Sequence, residues 1–415
     1  MADRDSDVLI VGGGVAGASC AAALRERGFH GSILLVGREL DPPYERPPAS
    51  KGLLRGELAH GDIHLHPESW WEEQGVQLLT RTSATKLDPG GRTATLSSRE
   101  TVGFGQALLA TGAMVRRVTV DGSELDGIHY LRAPGNAEAI RADVEGRERI
   151  VLVGGSYIGC EVAASLTAMG KGCTVLMQES EPMQRGFGPR VGAWVRELLE
   201  GHGVEVVGDD ALHSYGGDDG RVQSVRCTSG RELEADAVVV GAGVVPDVML
   251  ARAAGLQLGE TGGILCDRAL RSSAGDIWAA GDVCEYDSVI HGRRLRVEHW
   301  EAAAAQGRHV AGAMLGGSEP FAEVPYFWCD LADWATMESV GPAARWDREI
   351  FHGTPGDPGG FSVWYLEGER LGAALSVGRG RGRELDAARR MIVSGERVDA
   401  DALADPDGPP VDAAG

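Results

Sequence analysis

An apolar strand that breaks into closely spaced glycines and then into a small-residue helix occurs twice in this chain. That duplication limits the fold more than any other feature. The first copy is Val8-Leu9-Ile10-Val11 followed by Gly12-Gly13-Gly14-Val15-Ala16-Gly17. The second is Arg149-Ile150-Val151-Leu152-Val153 followed by Gly154-Gly155-Ser156-Tyr157-Ile158-Gly159. Short runs that are apolar throughout and rich in β-branched residues suit strands buried on both faces of a parallel sheet. Gly12, Gly14 and Gly17 form G-x-G-x-x-G after a strand and before a helix, the context in which that spacing binds a dinucleotide. Gly12 permits the tight turn, Gly14 lets the backbone approach a pyrophosphate, and Gly17 lets the helix sit close to the strand. The helix N-terminus then offers N–H groups and a positive dipole end to the phosphates. In the second copy Ser156 takes the middle position, which a serine tolerates where the backbone stays in an ordinary conformation. A single fingerprint is weak, but two in one chain point to two bound dinucleotides.

Size and charge fit that expectation. At 415 residues the chain needs two or three domains, and 43% hydrophobic with 24% charged residues is a soluble globular composition. A net charge of −21 argues against nucleic acid as the main partner, since phosphate binding needs a basic field. The acidic start of the chain, Ala2-Asp3-Arg4-Asp5-Ser6-Asp7, reads as no targeting segment, and no apolar run is long enough to span a bilayer; a cytoplasmic protein is expected. Seven cysteines are dispersed without a C-x-x-C pair, which suits a reducing compartment and buried thiols. No close dithiol is available to carry electrons, and no metal-ligand cluster is expected.

Other residues fall at positions where a dinucleotide fold places its ligands. The strand expected over 31–36 ends in Gly37-Arg38-Glu39, where an acid holds adenosine ribose hydroxyls. Arg38 occupies the usual first position, so Glu39 is the expected ribose ligand. Pro42-Pro43-Tyr44-Glu45-Arg46-Pro47-Pro48-Ala49-Ser50-Lys51 predicts a stiff, non-helical loop that fixes Arg46 and Lys51. Segments 76–87, 91–97 and 102–112 predict short strands, the last running into the turn Ala110-Thr111-Gly112. A strand over 235–240 leads to Gly241-Ala242-Gly243, and another delivers Asp282 at its carboxyl end, where open α/β sheets bind ligands. Helices are expected over 298–315 and 384–394.

This ordered set resembles the ferredoxin-reductase and apoptosis-inducing-factor branch of the pyridine-nucleotide flavoprotein reductases. The set comprises the fingerprint at 12–17, Arg46-Pro47-Pro48-x-Ser50-Lys51, Ala110-Thr111-Gly112, the fingerprint at 154–159, Gly281-Asp282 and Phe327-Trp328. The resemblance extends to about residue 395. It implies an α/β architecture of two Rossmann-like, three-layer dinucleotide-binding domains with a small C-terminal α+β domain. The FAD domain would be split over 1–113 and 244–320, with the NAD(P)H domain at 114–243 and the C-terminal domain at 321–395. The acidic segment 396–415 reads as a disordered tail.

Carried over position by position, the resemblance puts Gly13, Gly14, Val15 and Ala16 on the FAD pyrophosphate and Glu39 on the ribose. Arg46 and Arg116 would supply positive charge, Ala84 would meet the adenine through its backbone, and Asp282 would bind the ribityl chain. His299 and Trp300, opening a helix, would meet the flavin pyrimidine edge, where the helix N-terminus stabilises negative charge. Trp328 would border the ring. Lys51 and Glu161 resemble the family's ion pair beside the reactive flavin nitrogen, and Tyr157 the aromatic that covers the ring. Gly154, Gly155, Ser156, Ile158, Gly159 and Gly243 fall to the nicotinamide nucleotide. Its strand ends in Met177 where an acid is common. Glu179 with Arg185 matches the apoptosis-inducing-factor variant, Glu179 favouring NADH and Arg185 leaving NADPH as the alternative.

The implied reaction moves a hydride from NADH to FAD and single electrons onward to a 2Fe–2S ferredoxin serving a cytochrome P450 or a Rieske oxygenase. The basic run of Arg379, Arg381 and Arg383, with Arg389 and Arg390, either steers an acidic partner or pairs locally with Glu384 and Asp386. Two other readings stay open: an NADH-binding redox sensor with slow turnover, and a reductase of a quinone or ascorbyl radical. A monomer and a homodimer are both compatible with the sequence.

Overall fold

A computed structural model describes residues 2–342, 345–378 and 382–404, which divide into two compact units. The first comprises Met1–Glu45, Ile63–Met114 and Val245–Phe327. Its central strand, Arg4–Val11, pairs in parallel with Ile33–Val36 on one side and Thr101–Leu109 on the other, and Val76–Leu79 completes the far edge. Val8, Leu9, Ile10 and Val11 are all buried, as the unbroken apolar run requires of a strand covered on both faces. Thr101–Leu109 serves two purposes. Its first half joins the antiparallel strands Thr93–Leu96 and Ala84–Asp88, while its last residues pair in parallel with Ile277–Ala279. The helices Val15–Glu26 and Trp300–Met314 pack together through small residues, among them buried Ala16, Ala303 and Ala311.

The second unit comprises Arg46–Asp62, Val115–Val244 and Trp328–Gly415. A parallel sheet runs in the order Glu205–Val207, Gly172–Leu176, Arg149–Val153, Ala237–Val240, Ile128–Tyr130. Beside it stands the antiparallel sheet of Leu212–Asp218, Arg221–Cys227 and Glu232–Glu234. A further sheet runs in the order Tyr326–Leu331, Ala335–Val340, Arg370–Val377, Phe361–Glu367, Arg348–His352. The helix Gly382–Ser394 packs on it through buried Leu385, Ala388, Met391 and Ile392. The α/β architecture with two parallel nucleotide-type sheets and a C-terminal antiparallel sheet is the one the sequence implies.

Several local expectations are corrected. The proline segment is helical after all: Pro47–Ser50 forms a 3₁₀ turn and Gly52–Arg55 a short helix. Proline's fixed φ and missing N–H suit a first helical turn, where that donor has no partner anyway. Residues 46–62 group with the second compact unit. The Arg141 guanidinium donates to the Leu53 carbonyl (3.2 Å) and the Ser165 hydroxyl to the Ser50 carbonyl (2.7 Å), tying this segment to the helices Pro134–Val144 and Tyr157–Ala168. The stretch 76–87 is two strands rather than one, broken by Arg81 in the left-handed region (φ 52°). Residues 396–404, expected in the tail, include the helix Ala400–Ala404 with Leu403 fully buried. The rest of the expected tail, 405–415, lies outside the described residues, as do Arg379 and Arg381.

Candidate functional site

The first cradle lies at the carboxyl end of Arg4–Val11. Gly12 has φ +127°, and a Cβ there would collide with the Ala110 carbonyl oxygen; a Cβ at Gly17 would collide with the Gly12 carbonyl. The sequence therefore needs glycine at both places. Gly14 is the N-cap, with no side-chain cap, and open space surrounds its missing Cβ. Intrahelical bonding starts with the Ala18 N–H donating to the Gly14 carbonyl (3.0 Å), which leaves the N–H groups of Val15, Ala16 and Gly17 for a ligand. A pyrophosphate fits this cradle, because these donors and the helix dipole both favour an anion.

The neighbouring turns are tied down by backbone bonds. The Arg81 N–H donates to the Glu39 carbonyl and the Thr82 N–H to the Gly37 carbonyl, both at 2.8 Å. The Glu39 carboxylate accepts the Tyr44 hydroxyl, so Tyr44 orients the expected ribose acid. Beside it, the Arg38 guanidinium pairs with Asp247 at 2.7 Å. Asp247 also fastens the Ala110-Thr111-Gly112 turn: its carbonyl accepts the Thr111 hydroxyl (2.7 Å) and its N–H donates to the Gly112 carbonyl (2.9 Å). Ala84 opens the strand Ala84–Asp88 and is half-buried.

Asp282 follows the strand Ile277–Ala279, and Gly281 before it donates its N–H to the buried Gln306 amide oxygen (2.7 Å). The Asp282 carbonyl accepts from Arg296 (3.1 Å), which also pairs with Glu298 (2.6 Å). His299 is the N-cap of Trp300–Met314, its ring 4.9 Å from Phe327. Its Nδ1 is buried and has no hydrogen-bond partner among the described residues. Burial pushes the imidazole down to about 4 against a weaker upward pull from Asp282, so the ring is neutral at physiological pH. An orphaned polar atom at a helix N-terminus suits a heterocycle edge rather than an apolar neighbour.

The second cradle repeats the first within its own unit. Gly154 has φ +115°, its Cβ would strike the Gly241 carbonyl, and a Cβ at Gly159 would strike the Gly154 carbonyl. Ser156 is the N-cap with φ −80° and ψ −179°, nearly the values at Gly14 (−81°, 179°), so a side chain is admitted without strain. Its hydroxyl reaches for the Gly241 carbonyl (3.4 Å) instead of capping the helix, which leaves the N-terminal N–H groups available. Gly155 packs against the buried Met177, where a Cβ would meet the sulfur. Glu179 forms an ion pair with the exposed Arg185. Tyr157 packs its ring edge-on to Phe187 (5.7 Å), with its hydroxyl over Gly186, and Ile158 is 44% exposed beside it. Gly243 has φ +86°, and its carbonyl accepts the Arg116 N–H (2.9 Å) while the Arg116 side chain is exposed. Arg46 donates to the Arg132 carbonyl.

The expected Lys51–Glu161 pair forms, and it proves to be part of a larger cluster. Lys51 Nζ lies 3.1 Å from Glu161 Oε1 and 3.3 Å from Asp330 Oδ2, with the Trp328 ring centroid 5.6 Å away. The Ser50 hydroxyl donates to Glu161 Oε2 (2.6 Å) and the Asp330 N–H to Oε1 (3.2 Å). Burial opposes the Lys51 ammonium, but Glu161 and then Asp330 outweigh it and hold its pKa above the ordinary value. Sequence reasoning missed Asp330. The signal was present, since strand alternation puts residue 330 on the same face as Trp328. The seven cysteines are all buried and unpaired, and burial raises the Cys329 thiol well above its usual range beside Glu161. In the C-terminal helix Arg383, Arg389 and Arg390 are exposed, while Glu384 turns to His352 (3.3 Å).

Comparison with known proteins agrees with this geometry. A family model described as pyridine nucleotide-disulphide oxidoreductase matches residues 6–307, and one described as reductase C-terminal matches 326–409. The 5,5'-dehydrodivanillate O-demethylase ferredoxin reductase subunit of Sphingobium sp. is 34% identical over 97% of each chain. Rhodocoxin reductase of Rhodococcus erythropolis is 32% identical over 96% of this chain and 92% of its own. Among solved structures, the ferredoxin reductase for the CYP199A2 system from Rhodopseudomonas palustris superposes with a TM-score of 0.93 at 30% identity, covering 100% of both chains. The reductase in the covalent putidaredoxin reductase–putidaredoxin complex gives 0.91 at 31%, covering 98% of this chain and 96% of that one. With the matches spanning nearly its full length, the chain belongs to the pyridine nucleotide-disulphide oxidoreductase family, in its ferredoxin reductase branch.

Proposed function

We propose that this protein is an FAD-dependent reductase that takes a hydride from NADH and passes single electrons to a 2Fe–2S ferredoxin, which in turn serves a cytochrome P450 or a Rieske oxygenase. The observation that carries this reading is the pair of matched cradles, each with an uncapped helix N-terminus ready for a pyrophosphate. When bound, FAD supplies the conversion of a two-electron donor into one-electron steps. The chain's own residues bind and orient. Val15, Ala16 and Gly17 would hold one pyrophosphate, the N-terminus of Tyr157–Ala168 the other, and Glu39 and Asp282 the sugar hydroxyls. The seven cysteines are buried and include no C-x-x-C pair, which favours an external electron carrier over an internal dithiol relay.

No helix among the described residues is long and apolar enough to cross a membrane. The buried free thiols favour a reducing compartment, and we place the protein in the cytoplasm. Tyr157 is assigned to gating the nicotinamide. Tyr157→Ala is therefore expected to change the hydride-transfer rate by roughly fivefold in stopped-flow bleaching, the scale of a displaced lid; unchanged kinetics would remove that role.

Steady-state assays decide the acceptor. NADH turnover with a 2Fe–2S ferredoxin is expected at about 1–100 s⁻¹, falling as salt screens the encounter. Turnover confined to ferricyanide, quinone or dioxygen would overturn the ferredoxin reading in favour of a small-molecule reductase. Slow turnover with every acceptor would favour a sensor.

A further inference from the structure

The lysine at the centre of the cluster is contacted by more than the one carboxylate the family resemblance supplies. Glu161, 5% exposed at its side chain, is fixed at both oxygens: Ser50 and the Asp330 N–H donate to it. Asp330 is more open, at 31%, and its second oxygen accepts the Thr336 hydroxyl (2.9 Å). A lysine ammonium is a point charge on a flexible four-carbon stem, so one fixed carboxylate defines its direction only loosely. Two carboxylates and the face of Trp328 hold it from three sides. Asp330 therefore acts twice, through its carboxylate on Lys51 and through its backbone on Glu161.

We propose that Asp330 is a positioning residue for the reductase reaction, setting the location and charge of the Lys51 ammonium by closing a Glu161–Lys51–Asp330 triad. The proposal rests on the reading of Lys51 as the cation that serves the flavin. Asp330 itself touches neither substrate nor cofactor in this scheme. Two acids beside one ammonium are tolerated because the Ser50 hydroxyl and a backbone N–H take up Glu161, while Asp330 reaches solvent and also faces the positive charge of Arg55.

The test is a double-mutant cycle on the FAD-loaded protein with D330N, K51M and the double variant. Asparagine keeps the backbone N–H and the side-chain shape, removes the charge and leaves one acceptor oxygen where aspartate has two. The rate of flavin reduction by NADH and the flavin midpoint potential are both read. D330N is expected to slow reduction about tenfold and to move the potential, whereas in the K51M background it should add less than about twofold and leave the potential where K51M put it, as coupled neighbours do. Equal losses from D330N in both backgrounds would mean that Asp330 serves only the local fold, and would overturn the proposal alone. A K51M protein that is reduced as fast as the parent would overturn the reading of Lys51 and the proposal with it.

Discussion

Gly12→Ala protein is expected to purify colourless, while Gly154→Ala protein stays yellow but is no longer bleached by NADH. The two substitutions are chemically the same single methyl group. Each sits at a φ that L residues rarely adopt, +127° at Gly12 and +115° at Gly154, and each new Cβ would point into a backbone carbonyl. The left-handed conformation alone costs an L residue about 1–2 kcal/mol, and the obstructing carbonyls of Ala110 and Gly241 belong to backbone that cannot rotate aside. The turn must open, and the N–H groups behind it lose their aim. Affinity for the dinucleotide should fall at least about 100-fold in each variant, equivalent to about 2.7 kcal/mol. Because the cradles belong to separate units, the losses should be separable. Flavin content from the visible spectrum reads the first, and NADH titration of the oxidised flavin reads the second, with dithionite bleaching as the control that the Gly154→Ala flavin is still reducible. If Gly12→Ala retained full flavin, or if Gly154→Ala were bleached by NADH at the parent's rate, the assignment of the two cradles would be wrong.

The same pair of cradles is the part of the fold written most directly in the sequence. A strand–glycine–helix unit is encoded locally, in β-branched apolar runs and in glycines at φ values that L residues rarely adopt, so both copies and their parallel pairing are legible. Ser156 was legible too, because its position needs no special φ. What resisted reading depends on partners distant in sequence. The partner of the Arg38 guanidinium, Asp247, lies 209 positions away. Pro47 and Pro48 read as a loop breaker, yet prolines at the first helical positions begin a turn that packs on distant helices. Asp330 lies 169 positions from Glu161, to which it donates its N–H. The Phe327-Trp328 motif marks this strand in the sequence, and alternation along it carries Asp330 onto the Trp328 face. Local rules therefore located the cradles, and only packing revealed how the lysine between the carboxylates is held.

Exchanging one acid should turn the donor preference around. Glu179 and Arg185 neutralise one another in the ion pair, so each masks the other's effect on a nucleotide 2′ group. With Glu179 present, a ribose 2′-hydroxyl finds an acceptor, whereas a 2′-phosphate meets a carboxylate. Glu179→Gln removes that repulsion and releases an arginine that is 76% exposed and able to swing towards the phosphate. Efficiency (kcat/KM) with NADPH should rise about tenfold and that with NADH fall about tenfold, a swing of roughly 100-fold or about 2.7 kcal/mol, measured with ferricyanide so that the carrier protein does not limit turnover. Arg185→Ala provides the opposite control. Losing an exposed partner costs a carboxylate little, so NADH efficiency should hold within about twofold, and in the double variant the NADPH gain should disappear. The gain in Glu179→Gln should also shrink as salt rises, since an exposed arginine–phosphate contact is screened over about 10 Å at 0.1 M. Should Glu179→Gln leave the ratio of the two efficiencies unchanged, the nucleotide's 2′ position lies elsewhere on the second unit, and Glu179 with Arg185 is a surface ion pair without a part in donor choice.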